Sequence, residues 1–355
     1  YGKNFKKISM INLINKIIKT FGIVVFLFSI SLFANAQFSG VEELVSFDIS
    51  PNNPRANQVI SVSIESFSID LNRASSITWL LNGEIIAQEA GLKNVQFRTG
   101  KLGSSSKVDI VIKSVEKGTI RNSITISPTE VNLLWEANSY TPPFYAGKAL
   151  PVSDADITIV AMSEFVTSNG NRLSSKDLIF TWQRDGKVLG SLSGRGKDTI
   201  NIIGPKLSRT SRIEVGVSSS GGSLQGKGTT FISAVSPEII FYKNDTIFGT
   251  RYEKAIRSNT TLSREEIKIT AYPYFFSSGS RVVPSSNYEW RVDGSLVESA
   301  PNDNSSIILR QVGDGEGSAV VSLSIENTDK ILQFAKKSFS LLFGASQNAE
   351  TLFTF

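Results

Sequence analysis

Beyond residue 36 the chain is built from short runs in which apolar and polar residues alternate. In one such run Ile60, Val62 and Ile64 are separated by serines. Alternation with a period of two is typical of β-strands that bury one face. Clusters of Gly, Asn, Ser and Pro separate the runs, and no amphipathic helical pattern of useful length interrupts them. The pattern therefore predicts an all-β fold.

A ten-residue motif occurs three times. It contains a Trp, then Asn or Asp followed by Gly, and then an apolar pair. The tryptophans are Trp79, Trp182 and Trp290. The dipeptides are Asn82-Gly83, Asp185-Gly186 and Asp293-Gly294. Asn-Gly and Asp-Gly tolerate the positive φ angles of a two-residue type I′ turn. Each copy therefore predicts a hairpin whose incoming strand carries a Trp into a core.

Other alternating runs keep step with the three tryptophans, one before and one after each. Ser127-Pro128 and Ser236-Pro237 mark two boundaries between the repeats. We predict domains at 37–126, 127–234 and 235–343, followed by a short C-terminal tail at 344–355. Each predicted domain is close to the usual size of a two-sheet sandwich.

The repeat resembles the immunoglobulin-like (Ig-like) sandwich, with the three tryptophans in the place of that fold's core Trp. The paired cysteines and the tyrosine corner of antibody-type domains are missing. The chain is more similar to the Cys-free Ig-like and PKD-like tandem modules of bacterial surface and secreted proteins, although the PKD signature itself is absent. This resemblance implies three Ig-like β-sandwich domains in tandem, with an extracellular or cell-surface location.

The first 36 residues have the three parts of a secretory signal. A basic stretch ends at Lys19, an apolar stretch occupies 21–33, and Ala34-Asn35-Ala36 offers a small-x-small cleavage pattern. We expect cleavage between Ala36 and Gln37. The alternative is an uncleaved membrane anchor, although a spanning helix needs about 20 apolar residues. Both alternatives predict an exported protein.

Composition removes several classes of function. The chain has no His and no Cys, which excludes disulfides, His- or Cys-ligated metals and Ser-His-Asp triads. The net charge of +5 arises in the N-terminal 36 residues, since the remaining 32 basic residues equal the 32 acidic ones. No basic surface for nucleic acid is therefore expected. We identify no catalytic residue, no metal site and no cofactor.

The segment from Trp135 to Pro151 is unusually rich in aromatic residues and proline. One interpretation is a stiff loop whose Tyr140, Phe144 and Tyr145 stack on a sugar or a peptide. The other is that the segment opens the second domain and packs at its joint with the first.

These observations predict an exported, non-enzymatic rod of Ig-like domains with an adhesive or structural role. The expected partner is an unknown protein or polysaccharide at the cell envelope. The alternative function is an accessory carbohydrate-binding or substrate-presenting module of an extracellular enzyme system. Fold resemblance alone does not separate the two, because sandwiches host unrelated functions.

Overall fold

A computed structural model describes residues 45–206, 209–263, 265–278 and 284–344. The described residues form β-strands and short 3-10 turns at Leu71–Arg73, Ser175–Asp177 and Gly190–Leu192. None of the helical turns in these ranges is long and apolar enough to cross a membrane. The all-β prediction is confirmed. The predicted signal peptide, its cleavage site and the predicted tail after Gly344 lie outside the described residues.

In the first sandwich a three-stranded sheet faces a four-stranded sheet. Its strands are β1 (Ser46–Ser50), β2 (Val59–Glu65), β3 (Ser76–Leu81), β4 (Glu84–Glu89), β5 (Asn94–Arg98), β6 (Ser106–Ser114) and β7 (Gly118–Ile126). The sheet orders are β1-β2-β5 and β4-β3-β6-β7. The chain passes from β2 to β3 in the four-stranded sheet and returns to the three-stranded sheet at β5. It therefore crosses between the two layers, as in Ig-like folds.

The second sandwich repeats this order. Its strands are β8 (Glu130–Ala137), β9 (Asp156–Glu164), β10 (Leu178–Arg184), β11 (Lys187–Val188), β12 (Gly194–Arg195), β13 (Thr199–Ile203), β14 (Thr210–Ser219) and β15 (Gln225–Ser233). The sheets are β13-β9-β8 and β11-β10-β14-β15, with the short β12 also paired to β10.

Within the described residues, the third sandwich has two strands more than the first. Its strands are β16 (Glu238–Asp245), β17 (Gly249–Ile256), β18 (Asn259–Thr261), β19 (Glu266–Tyr274), β20 (Ser286–Val292), β21 (Ser295–Val297), β22 (Ser306–Arg310), β23 (Gly317–Asn327) and β24 (Phe334–Phe343). The sheets are β17-β16-β19-β22 and β18-β24-β23-β20-β21. Here β17 forms a hairpin with β16, and β18 runs parallel to β24.

Each sandwich has a core between its two sheets. In the second sandwich Ile157, Ile159 and Trp182 belong to one buried cluster. In the third, Ile269 and Trp290 belong to another. The apolar residues whose alternation predicted these strands point inward and form the cores. Burial of these residues explains how a chain without disulfides keeps its domains folded.

The described residues divide into two compact units. The smaller includes Ser66–Asp70, in which the Ser66 hydroxyl accepts hydrogen bonds from the backbone N–H groups of Ser68 and Ile69. The larger includes Phe47–Glu65 and the described residues from Leu71 onward, and therefore contains every strand of the three sandwiches except Ser46, the first residue of β1.

Candidate functional site

The three repeated tryptophans are fully buried, and each makes a hydrogen bond of the same kind. The indole Nε1 of Trp79 donates to the carbonyl of Leu92 at 2.9 Å, and that of Trp182 to Lys197 at 2.8 Å. In the third sandwich Trp290 donates to Asn304 at 3.1 Å. In each case the acceptor lies in the connection that leads from one sheet to the other, so the Trp fixes that crossing as well as filling the core.

The Asn-Gly and Asp-Gly pairs form turns with positive φ at both residues, as type I′ geometry requires. Their side chains have a second role that the sequence did not reveal. Asn82 Oδ1 accepts a hydrogen bond from the Lys107 backbone N–H, and the Oδ1 atoms of Asp185 and Asp293 accept from Arg212 and Val320, each at 2.8 Å. The turn residue therefore ties each hairpin to the neighbouring strand and is structural.

The aromatic segment between β8 and β9 begins with a tight turn. The Tyr145 backbone N–H donates to the Pro142 carbonyl at 2.9 Å. Pro143 occupies the second position of this turn, where its fixed φ is favourable. A Cβ at Gly147 would lie 2.3 Å from the Tyr145 ring, so glycine leaves room for the ring to fold back. Local chemistry thus presents Phe144 and Tyr145 side by side.

Phe144 packs on three tyrosines of the third sandwich. Its ring centroid lies 4.0 Å from that of Tyr252, 5.3 Å from Tyr272 and 5.8 Å from Tyr242. Tyr252 and Tyr272 are joined by a hydrogen bond of 2.6 Å between their hydroxyls. Tyr242 is buried in this arrangement, whereas Phe144 and Tyr252 keep 38% and 43% of their surface exposed.

Tyr145 and Tyr140 are turned toward the same sandwich. Tyr145 contacts Tyr274 and Phe275 edge to face, at 5.6 and 5.8 Å between centroids. The Tyr140 backbone donates to the Phe276 carbonyl and accepts from the Phe275 N–H, both at 2.7 Å. Phe275 has a φ of +67°, a conformation that large side chains adopt only where their surroundings hold it.

A buried amide network completes this contact. Gln333 is fully buried, and its Nε2 donates to the Ser153 carbonyl at 2.6 Å and to the Ser277 hydroxyl at 2.8 Å. Its Oε1 accepts from the Ser277 backbone N–H at 2.8 Å and from Asn327 Nδ2 at 3.0 Å. Both atoms of the amide are thereby satisfied, and one side chain links the second sandwich to the third.

Burial changes the acid–base behaviour of this region. Burial, together with the hydrogen bond between the Tyr272 and Tyr252 hydroxyls, raises the pKa of Tyr272 to about 12. Burial also raises the pKa values of Tyr140 and Tyr274. On the other side of the segment, burial lowers the pKa of Lys148, whose Nζ lies 3.1 Å above the Trp135 ring. Tyr140, Tyr272 and Tyr274 therefore remain neutral at physiological pH and act as packing and hydrogen-bonding groups.

The structure thus places the aromatic segment at a domain joint, but at a different one from that expected. Tyr140, Phe144 and Tyr145 contact the third sandwich, not the first. We call this contact the second joint (residues 138–155 of the second sandwich with β16, β17, β19 and Gln333). Their ligand binding stays a prediction, and only Phe144 of the three is exposed. Within the described residues no group of acidic side chains is placed to hold a metal ion.

The partners of this segment were not predicted from the sequence. Tyr242 and Tyr272 occupy outward positions of alternating strands, which reads as solvent-facing, and Gln333 lies in an unremarkable stretch. The only available signal was the high density of tyrosine between 242 and 274, close to the third Trp motif.

No known protein family matches the chain, and no curated protein does. Among solved structures, the chain is similar to the three N-terminal domains of the bacteriophage RB49 highly immunogenic outer capsid protein (9% identity, 85% of this chain and 99% of that chain covered, TM-score 0.25). It is also similar to fibronectin(III)-like modules of Clostridium thermocellum CbhA (13%, 54% and 94%, TM-score 0.26). A third is the central fibronectin-III array of RIM-binding protein (11%, 85% and 96%, TM-score 0.28). TM-scores this low support no conclusion about function.

Proposed function

We propose that this chain is an exported, non-enzymatic protein with an adhesive or structural role at the cell surface or outside the cell. The observation that carries the proposal is the second joint. Flexible linkers leave neighbouring domains free to reorient. Here rings, backbone hydrogen bonds and the buried Gln333 amide hold two sandwiches together, which suits a protein that must keep its modules in place under load.

The composition supports the same conclusion. Without His or Cys, an enzyme would depend on carboxylates, hydroxyls, Lys or Tyr alone. The buried polar groups of the second joint are engaged with one another, and burial raises the pKa values of Tyr140, Tyr272 and Tyr274, which is the opposite of what a base at neutral pH requires.

The test begins with location. We expect the protein in the medium or on the surface of its host, with a mature chain that starts at Gln37 by intact mass. Deleting the gene should reduce attachment of the cells to surfaces or to each other, and complementation should restore it. An intracellular chain, or attachment unchanged by the deletion together with an intact envelope, would refute the proposal.

The second joint also gives a matched pair of variants for this test. Gln333→Ala loosens the joint, whereas Gln311→Ala changes a surface glutamine of the same sandwich. If a fixed joint matters for adhesion, only the first should weaken attachment in the complemented strain at equal surface abundance.

Carbohydrate binding is the second candidate, favoured by the stacked, partly exposed rings of Phe144 and Tyr252. Aromatic faces of this kind pack well on sugar rings. Retention on soluble polysaccharides in affinity electrophoresis should disappear in Tyr252→Ala and persist in Phe231→Ala, another exposed aromatic of the chain. Retention that ignores both changes would remove this candidate.

A further inference from the structure

In this chain the stretch between the first and second long strands of a sandwich contacts the sandwich that follows. Between β1 and β2, the Pro54 carbonyl accepts a hydrogen bond from the Thr129 N–H at 3.2 Å. Between β8 and β9, Phe144 and Tyr145 pack on the third sandwich. The same end of two successive repeats is therefore used for docking.

In the third sandwich the corresponding stretch carries two exposed apolar side chains. Between β16 and β17, the hairpin tip (Asp245–Gly249) carries Ile247 and Phe248, which are 80% and 73% exposed. Asp245 Oδ1 accepts hydrogen bonds from the N–H groups of Ile247 at 2.8 Å and Phe248 at 3.1 Å. The turn is thus held in one shape that keeps both side chains outward, as the Pro142 turn does for Phe144 and Tyr145.

The surface of the third sandwich that receives the aromatic segment also has an exposed counterpart on the second sandwich. On the third sandwich Phe144 covers Tyr242 of β16 and Tyr272 of β19. In β16–β19 Tyr242 lies opposite Thr270, and in β8–β9 Leu134 lies opposite Val160, at the matching register. By this register Leu134 and Met162 of the second sandwich correspond to Tyr242 and Tyr272.

These two counterparts are solvent-exposed. Leu134 keeps 57% and Met162 keeps 55% of its surface accessible. We call Leu134, Val160 and Met162 the bare face. Large apolar side chains grouped on one sheet face, at the positions that another repeat covers, indicate a docking surface.

Charged side chains border both surfaces. Glu130 lies directly opposite Glu164 across β8 and β9, beside the bare face. Arg251 lies over the Phe248 ring, 5.6 Å from its centroid, at the hairpin tip. Glu164 already pairs with Arg172 at 3.6 Å and Arg251 with Glu253, so charge contributes little here and the apolar side chains carry the contact.

We propose that the hairpin tip of one copy docks on the bare face of a second copy, repeating between molecules the contact that joins the second and third sandwiches within one. Tip and face are different surfaces, so the contact is head-to-tail and leaves a free tip and a free face at the two ends. Such contacts form open chains unless the rotation closes a ring. The hairpin tip offers two apolar side chains and the bare face three, so we expect weak, concentration-dependent association. The proposal rests on the fold and is independent of the adhesive role.

The first experiment is sedimentation velocity on protein purified from its host, from low to high micromolar concentration. We expect the weight-average mass to rise steadily with concentration, without a plateau at the dimer. Phe248→Glu and Met162→Glu should each raise the concentration needed for association by about tenfold or more, since each places a charge in an apolar contact. Phe231→Glu and Val320→Glu, which alter exposed apolar residues elsewhere, should leave it unchanged.

Mixing the two variants tests the head-to-tail geometry itself. Phe248→Glu retains an intact bare face and Met162→Glu an intact tip, so an equimolar mixture should form a dimer and nothing longer. A protein that stays monomeric at every concentration, or a mixture that stays monomeric, would overturn the proposal. If cell attachment by a strictly monomeric protein still required Phe248, the tip would have a partner of another kind and self-docking would be wrong.

Discussion

The first and second joints of the molecule are built in different ways. At the first joint small groups approach closely: Gly103, with a φ of +81°, sits where a Cβ would lie 2.7 Å from Val166 Cγ1. At the second joint Phe144, Tyr145 and the Gln333 amide contribute large rings and a buried network. Buried ring area and satisfied polar groups stabilise a contact far more than close backbone approach does.

A tandem repeat therefore need not be equally cooperative along its whole length. Elements that share buried surface tend to open together, whereas elements joined by few buried groups open separately. We therefore expect the second and third sandwiches to unfold as one unit and the first to unfold apart from them.

The largest effect should come from the core tryptophans. Trp79→Ala, Trp182→Ala and Trp290→Ala should each cost about 3–5 kcal/mol in free energy of unfolding, because each leaves a cavity in a full core. In differential scanning calorimetry Trp182→Ala should lower the transition of the second and third sandwiches together. Trp79→Ala should lower a separate transition of the first. If Trp182→Ala leaves the third sandwich at its original melting temperature, the two are not coupled.

Removing the buried amide should separate the coupled pair. Gln333→Ala leaves Ser153 O, Ser277 N–H and Asn327 Nδ2 without this partner, which should cost about 3 kcal/mol. We expect the single calorimetric transition of the second and third sandwiches to split into two. The transition at lower temperature should belong to the sandwich that is less stable without its neighbour. Gln311→Ala, on the surface, should preserve a single transition, and the same behaviour in Gln333→Ala would show that the rings alone hold the joint.

The contrast between what was and was not predictable follows the range of the interactions. The strands, the Asn-Gly and Asp-Gly turns and the buried tryptophans depend on neighbours close in sequence, so their pattern indicated them. Phe144 packs on Tyr242 and Tyr272, which are distant in sequence and lie on outward strand positions. Because the aromatic segment follows the first predicted boundary, its position suggested the first joint and misled. The added hairpin of β16 and β17 likewise left no distinct signal.

A smaller effect should follow from truncating the ring cluster. Phe144→Ala removes three ring contacts of a side chain that is still partly exposed, so we expect a loss of about 1 kcal/mol in the stability of the second joint. Hydrogen exchange should show faster opening of the backbone bonds between Tyr140 and residues 275–276, with the Thr129–Pro54 bond at the first joint unchanged. Phe231→Ala is the matched control, and exchange that accelerates equally at both joints would mean that the cluster does not act locally.

The smallest effect, and the most selective, should appear at alkaline pH. Folding raises the pKa of Tyr272 from 10.0 to about 12, so its stabilising contribution is complete below pH 10 and is lost as pH rises through that interval. The first sandwich contains no tyrosine, since the chain has none between Tyr1 and Tyr140. Above pH 10 the transition of the second and third sandwiches should therefore move toward lower temperature more steeply than that of the first. Tyr272→Phe should flatten the difference because the variant has no phenol to ionise there, and an equal pH slope for both transitions in the unaltered protein would show that the tyrosines of the second joint are not buried as described.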